Sequence, residues 1–306
     1  MRAGPPEAPD PGRFALITEA TRLVDEVAAA VEAEEHGFER VLVGESPWGA
    51  DAFLRSARIL EATQRIAVGP GIVDTSLRHP LVLARAAATL DRLARGRAHL
   101  GVGRGDPAAL EAATGLPAAL ASAGLEDALR ICGPLLRGEA ADWTGRRWSA
   151  RTGPLSGGAA PSSRVPLLCA AVGERALRLA GALADAVVLN YGAPPEYVEW
   201  AVARVAEGAD GARRAPEAVD VLGVVLVART DVPGAERTVE EVRRTLRFVL
   251  SIPDQGRALA AQAGGVPADV DDDTLRRFAA VGDGAAVGAR LEAYRAAGLR
   301  CVVVMP

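Results

Sequence analysis

One unit recurs along this chain and limits the folds open to it. An amphipathic helix runs into a glycine, and two or three residues later comes a short apolar run rich in branched residues. The unit appears at Gly37 before Val41, Leu42 and Val43, and at Gly96 before His99, Leu100, Gly101 and Val102. It returns at Gly298 before Cys301, Val302, Val303 and Val304. Such runs are too short for helices and read as buried parallel strands. A glycine just past a helix suits the left-handed position that ends it. The helix before Gly37 is expected to bury Val24, Val27, Ala28 and Val31, with Asp25, Glu32 and Glu35 elsewhere. The helix before Gly96 starts near Pro80 and places Leu83, Ala86, Ala87 and Leu90 on one face.

The same pattern predicts eight strands, at 13–19, 40–45, 66–73, 98–103, 166–172, 186–190, 219–228 and 300–305. Strands alternating with helices form a parallel sheet. Eight of them in one chain of this length favour a closed (β/α)8 TIM barrel over an open doubly wound sheet. Residues 1–12, rich in Pro and Gly, read as a flexible arm, and 13–306 as one barrel domain. Residues 138–165 hold Trp143, Trp148 and a Gly/Ser/Pro-rich tract. They read as an insertion after strand four and a candidate lid over the barrel mouth.

Composition removes several functions. A net charge of −4 gives no reason to expect a nucleic-acid surface. No apolar run is long enough to span a membrane or to serve as a signal peptide, so a cytoplasmic protein is expected. All 35 basic residues are arginine, which excludes lysine chemistry such as a Schiff base or a P-loop. Cys132, Cys169 and Cys301 lie far apart in apolar stretches and read as buried free thiols. His36, His79 and His99 have no metal-ligand spacing, and neither a G-x-S-x-G elbow nor an H-E-x-x-H motif is present. No metal site is expected.

In an α/β barrel the active site gathers where the strands end. Strand one is followed by Thr18 and Glu19, and strand two by Gly44, Glu45, Ser46, Pro47 and Trp48. Strand three leads through Gly69, Pro70, Gly71, Ile72 and Val73 to Asp74 and Thr75, and strand four through Gly103, Arg104, Gly105 and Asp106. Strand five leads into Ala170, Ala171, Val172, Gly173 and Glu174, and strand six into Asn190, Tyr191 and Gly192. The run from Gly101 to Asp106 is G-x-G-x-G-D. It lacks the final spacing of a dinucleotide fingerprint, although its glycines still let backbone approach a ligand. The turn from Ala171 to Glu174 feeds a helix, so its amides are candidates for binding an anion; an ordinary strand-to-helix turn is the alternative. His79, before Pro80 on the same face, is a candidate substrate contact. Trp48, Trp143, Trp148 and Tyr191 are candidates for an aromatic pocket wall.

Several blocks together resemble one family. They are the run from Ile66 to Val73, then Arg78, His79 and Pro80, then Ala84 through Leu90, then the run from Gly96 to Asp106. Further matches fall at Val165 to Gly173, Leu179 to Ala186 and Phe278 to Val304. These blocks look like the luciferase-like flavin and deazaflavin oxidoreductases, and among them methylenetetrahydromethanopterin reductase and its coenzyme F420-dependent relatives. The resemblance implies a barrel that binds a flavin-like ring at the strand ends. It implies a non-prolyl cis peptide after strand three, here Gly71 to Ile72, supporting the ring. The cofactor phosphate would meet Ala171, Val172, Gly173 and Glu174 beside Ala170. Gly103, Arg104, Gly105 and Asp106 would flank the ring or its chain, with Asp74, Asn190 and Tyr191 as further cofactor contacts. Glu45 or Glu19 would supply a proton. A homodimer through the helices beside strands two and three is also implied, with Leu54, Ile59 and Leu60 at its interface.

Two departures stand out. Many deazaflavin relatives carry Asp-His after strand two, where this chain has Glu45 and Ser46. The chain also lacks the family's closing helix after strand eight, so the apolar surface there is expected to be covered by the arm or a partner. The reading is an oxidoreductase that uses reduced coenzyme F420 to reduce an activated C=N or C=C bond in a small or peptide-like substrate. The alternatives are an FMN-dependent monooxygenase of the same superfamily and a non-catalytic barrel that serves as a binding subunit.

Overall fold

The computed structural model describes residues 13–18, 25–162, 164–263 and 269–305. The expected N-terminal arm, Glu19 and Val24 lie outside these residues. Eight strand positions form the barrel. The first four are β1 (Arg13–Thr18), β2 (Arg40–Val43), β3 (Ala67–Pro70, continued by Val73–Asp74) and β4 (Leu100–Gly103). The others are β5 (Leu167–Ala170), β6 (Ala186–Leu189), β7 (Asp220–Val225) and β8 (Cys301–Val304). All pairings in this sheet are parallel. From Ala67–Pro70 the ring runs through β2, β1, β8, β7, β6, β5 and β4 to Val73–Asp74. Strand three therefore stands at both ends of the ladder, and the barrel closes through it. Every strand predicted from the sequence is present; most are shortened at their ends, 66–73 is broken at 71–72 and ends at Asp74, and 219–228 splits into β7 and a piece, Val227–Arg229, that pairs with Ala280–Gly282 outside the barrel.

The strands form because alternate residues can be buried on both faces. Ala15, Ile17, Leu42, Leu168, Val188, Leu222, Val224 and Val303 belong to a cluster that fills the barrel. Leu16, Val41, Val43, Leu100, Val102 and Val302 belong to the larger cluster between sheet and helices. Gly37, Gly96 and Gly298 take φ of 79°, 87° and 107°, as the helix-stop reading requires. The three cysteines are free and buried, and burial pushes each thiol up to about 12.

Two expectations are corrected. Helix Asp25–Glu35 buries Glu26, Ala30 and Ala33, while Val27 and Val31 are half-buried and Ala28 is exposed. The face turns because Glu26 is drawn inward by Arg55. The second correction concerns 138–165. Its hairpin, Ala141–Thr144 with Ser149–Thr152, supplies no residue to the lining of the cavity described below. It is bound to the side by Asp127, which accepts from Trp143 Nε1 (2.9 Å) and from the amides of Arg147 (2.8 Å) and Trp148 (2.9 Å). Trp148 Nε1 and Arg147 then donate to the carbonyls of Thr75 and Ser76, both at 2.9 Å. Trp148 braces the exit of strand three, Trp143 ties the hairpin to Asp127, and neither lines the cavity described below. No helix among the described residues is long and apolar enough to cross a membrane.

Candidate active site

The site is built on the seam between strands three and four. Val68 bridges Ala98, and Val73 pairs with Val102. Strand three advances five residues between these points while strand four advances four, so strand three carries a bulge. The Gly71–Ile72 peptide within it is cis. Glycines let the strands close on each other here. A Cβ on Gly101 would lie 2.5 Å from the Pro70 carbonyl oxygen, and one on Gly69 would lie 2.1 Å from that of His99. The Ile72 side chain lies over Gly103, where a Cβ would come within 2.8 Å of Ile72 Cδ1.

A cavity of about 790 Å³ opens above this seam. Of the residues expected to contact cofactor, Gly71, Ile72, Gly103, Arg104, Gly105, Asp106, Ala170, Ala171, Val172, Gly173, Glu174, Asn190 and Tyr191 line it. Glu45 does too. Asp74 lies just behind the lining: its Oδ2 faces Gly105, where a Cβ would meet it at 2.0 Å. Burial pushes the Asp74 carboxyl above its ordinary value, against the hydrogen bond that its Oδ1 accepts from the Ser76 amide (2.6 Å). Trp48 and His79 do not line the cavity. Trp48 is 71% exposed. His79 caps helix Pro80–Leu93 by accepting from the Leu81 amide (3.1 Å), and its other ring nitrogen meets the Ser149 carbonyl (3.2 Å).

Further lining residues escaped the sequence. Ser122, Leu125 and Glu126 come from helix Ala121–Leu136, and Ile252 follows helix Ala235–Ser251. Neither segment directly follows a strand. Ile17, Val188 and Val224 are inward-facing strand residues, which alternation along their strands would have found.

Two arginines hold the turn after β2. Arg78 donates to both oxygens of Glu45 (2.6 and 2.9 Å) and to Asp51 (2.7 Å), and Glu45 Oε1 also accepts from the Ala52 amide (3.1 Å). This pairing with Glu45 holds the Arg78 guanidinium above its ordinary value. Behind the turn, Arg55 is buried against Glu26 (2.5 Å), with both side chains only 4% exposed. Arg55 also donates to the Gly44 carbonyl (2.6 Å) and to Thr18 Oγ1 (3.3 Å), so it ties the ends of β1 and β2 together.

On the far side of the cavity, helix Glu174–Leu183 begins at Gly173 without a side-chain cap. Its first amides have no carbonyl one turn earlier, and Glu174, Arg175 and Ala176 all line the cavity. Asn190 Oδ1 accepts from the Tyr191 amide (2.9 Å).

Residues 10–301 match the luciferase-like monooxygenase family, nearly the whole chain. The chain belongs to that family. Among curated proteins it is 28% identical to the 5,10-methylenetetrahydromethanopterin reductase of Methanopyrus kandleri, over 89% of this chain and 86% of that one. It is 31% identical to the F420-dependent glucose-6-phosphate dehydrogenase of Nakamurella multipartita, over 77% and 72%. The solved coenzyme F420-dependent tetrahydromethanopterin reductase of M. kandleri superposes with a TM-score of 0.79 at 24% identity, covering 96% of this chain and 93% of that one. The FMN-bound oxygenating constituent of 3,6-diketocamphane monooxygenase from Pseudomonas putida superposes at 0.75 and 20% identity, covering 96% and 91%. The barrel is thus that of the luciferase-like enzymes, and the family member described here is an oxidoreductase.

Proposed function

We propose that this luciferase-like protein is a coenzyme F420-dependent oxidoreductase that reduces an activated C=N or C=C bond of a small organic or peptide-like substrate. The cavity against the glycine seam carries this reading. Bare backbone at 71, 103 and 105, where a side chain would collide with Leu42, Ile72 and Asp74, supports a seat for a flat ring. When bound, the deazaflavin supplies a two-electron hydride from carbon. The chain's own part is to hold and to exclude. Gly71, Ile72, Gly103 and Gly105 offer a face for the ring, and Asn190 and Tyr191 offer an edge. The uncapped amides of Glu174, Arg175 and Ala176, with the turn from Ala170 to Gly173, suit a phosphate. Ile17, Leu125, Val224 and Ile252 keep water from the reacting atoms.

Glu45 is the described acid of the two expected to deliver a proton, but the oxygens it would present already accept from Arg78 and Ala52. In this reading it fixes the turn after β2, and the proton comes from solvent or from Glu19. The cofactor claim is tested by titrating purified protein with coenzyme F420 and with FMN while following fluorescence. Micromolar F420 binding with weak FMN binding is expected. Tight FMN binding with oxygen uptake favours the monooxygenase reading, which the FMN-bound neighbour supports.

We propose a homodimer through helices Ala52–Ala62 and Pro80–Leu93. Leu54 and Leu93 are 73% and 75% exposed there. Ile59 and Leu60 are buried within the chain and are not available to a partner. Leu54→Asp is expected to shift sedimentation from dimer to monomer.

A further inference from the structure

The turn that ends β5 is held from behind by a residue outside the cavity. Tyr197, in helix Pro195–Gly211, is 2% exposed, and its hydroxyl donates to the Val172 carbonyl at 2.5 Å. Its ring packs on Trp200, with centroids 5.5 Å apart. Burial pushes the phenol above its ordinary value, so it stays a donor at any working pH.

The peptide from Val172 to Gly173 is planar and trans, so its carbonyl and its N–H point to opposite sides. With the carbonyl turned back to Tyr197, the Gly173 N–H turns away from helix Pro195–Gly211. Val172 and Gly173 line the cavity and Tyr197 does not. The first amides of helix Glu174–Leu183 open there as well. A hydroxyl that is not itself part of the cavity lining thereby sets the direction of one of its donors.

We propose that Tyr197 is a positioning residue for the phosphate of the cofactor, acting through the Val172–Gly173 peptide. This rests on the cofactor reading above. Without the hydroxyl, the peptide is free to rotate its N–H out of the cavity, and a ligand without phosphate would not sense the change.

The test is a two-by-two comparison. Dissociation constants are measured by fluorescence for wild type and Tyr197→Phe, each with coenzyme F420 and with the ribityl deazaflavin that lacks phosphate and tail. Phenylalanine keeps the ring packing and removes only the hydroxyl. A roughly tenfold weaker affinity for F420, with less than a twofold change for the phosphate-free compound, is expected for one lost charge-assisted hydrogen bond. Equal loss for both compounds, or no loss for either, overturns the proposal. Because the readout is a ratio within one variant, an inactive fraction cancels. If wild type prefers FMN, the cofactor reading fails, but FMN against riboflavin poses the same question of Tyr197. If neither phosphate-bearing compound gains over its phosphate-free partner in wild type, the positioning role is overturned too.

Discussion

The two neighbouring sides of the cavity are held in opposite ways. On the side of β1 and β2, charge does the holding: Arg55 with Glu26 behind the turn, and Arg78 with Glu45 and Asp51 around it. On the side of β3 and β4, backbone lies against backbone, and glycine at 69 and 101 makes that approach possible. The charged side is long-range and directional, so it depends on keeping both members of each pair. The glycine side depends only on shape. One site therefore combines a rim set by ion pairs with a seat set by the absence of side chains.

Arg55→Ala should do the most damage. It strands Glu26 without its partner in a buried place, and a loss of about 3–5 kcal/mol is expected from denaturant unfolding. Replacing Arg55 and Glu26 together with apolar residues should recover much of that loss. A double variant as unstable as the single one would show that Arg55 acts through Gly44 and Thr18 and not mainly through Glu26. Next, Gly101→Ala sets a methyl 2.5 Å from a carbonyl oxygen and is expected to cost roughly 3 kcal/mol, independent of salt. A cost below about 1 kcal/mol there would mean the seam can relax, and the contrast between the two sides would fade.

The third effect is a pH dependence that belongs to the seam. Burial, with Arg40 nearby, holds the His99 imidazole well below its ordinary value. The unfolded chain therefore takes up a proton as pH falls below about 6.5 while the folded chain does not, and stability drops by up to ~1.4 kcal/mol per pH unit for that group. The stability is fully present above that pH and is lost on acidification. His99→Gln should flatten this part of the curve; an unchanged slope between pH 6.5 and 5 would assign it elsewhere. The smallest change in stability is expected for Arg78→Ala. Arg78 is 26% exposed, so screening limits the loss to about 1 kcal/mol. Its mark should fall on function, with KM raised several-fold as the turn carrying Glu45 loosens. A kcat loss with KM unchanged would give Glu45 and Arg78 a direct part in the chemistry.

Much of the scaffold was legible because its cause is local. Val41 to Val43 and Val302 to Val304 can hardly be anything but buried strands, and Gly37, Gly96 and Gly298 mark helix ends through their own backbone freedom. The residues after each strand were legible because barrel topology carries them to one end. What was hidden depends on partners distant in sequence. The inward turn of Glu26 needs Arg55, and the outward placement of the hairpin needs Asp127. His79 reads as a ligand contact until the Leu81 amide and the Ser149 carbonyl claim its two nitrogens. Ser122, Leu125, Glu126 and Ile252 reach the cavity from helices or their ends, and no local pattern announces that.

The extra residue of strand three reverses the inside–outside count for everything beyond it. Before it, an even-numbered residue, Val68, packs in the outer cluster; after it, an odd-numbered one, Val73, does. Gly71 leaves no room for a side chain against Leu42, and the length of the 70–73 stretch is as tightly fixed. A single insertion or deletion there would turn the residues of strand three that follow it to the opposite face, so the spacing between Val68 and Val73 behaves as a ruler for the site.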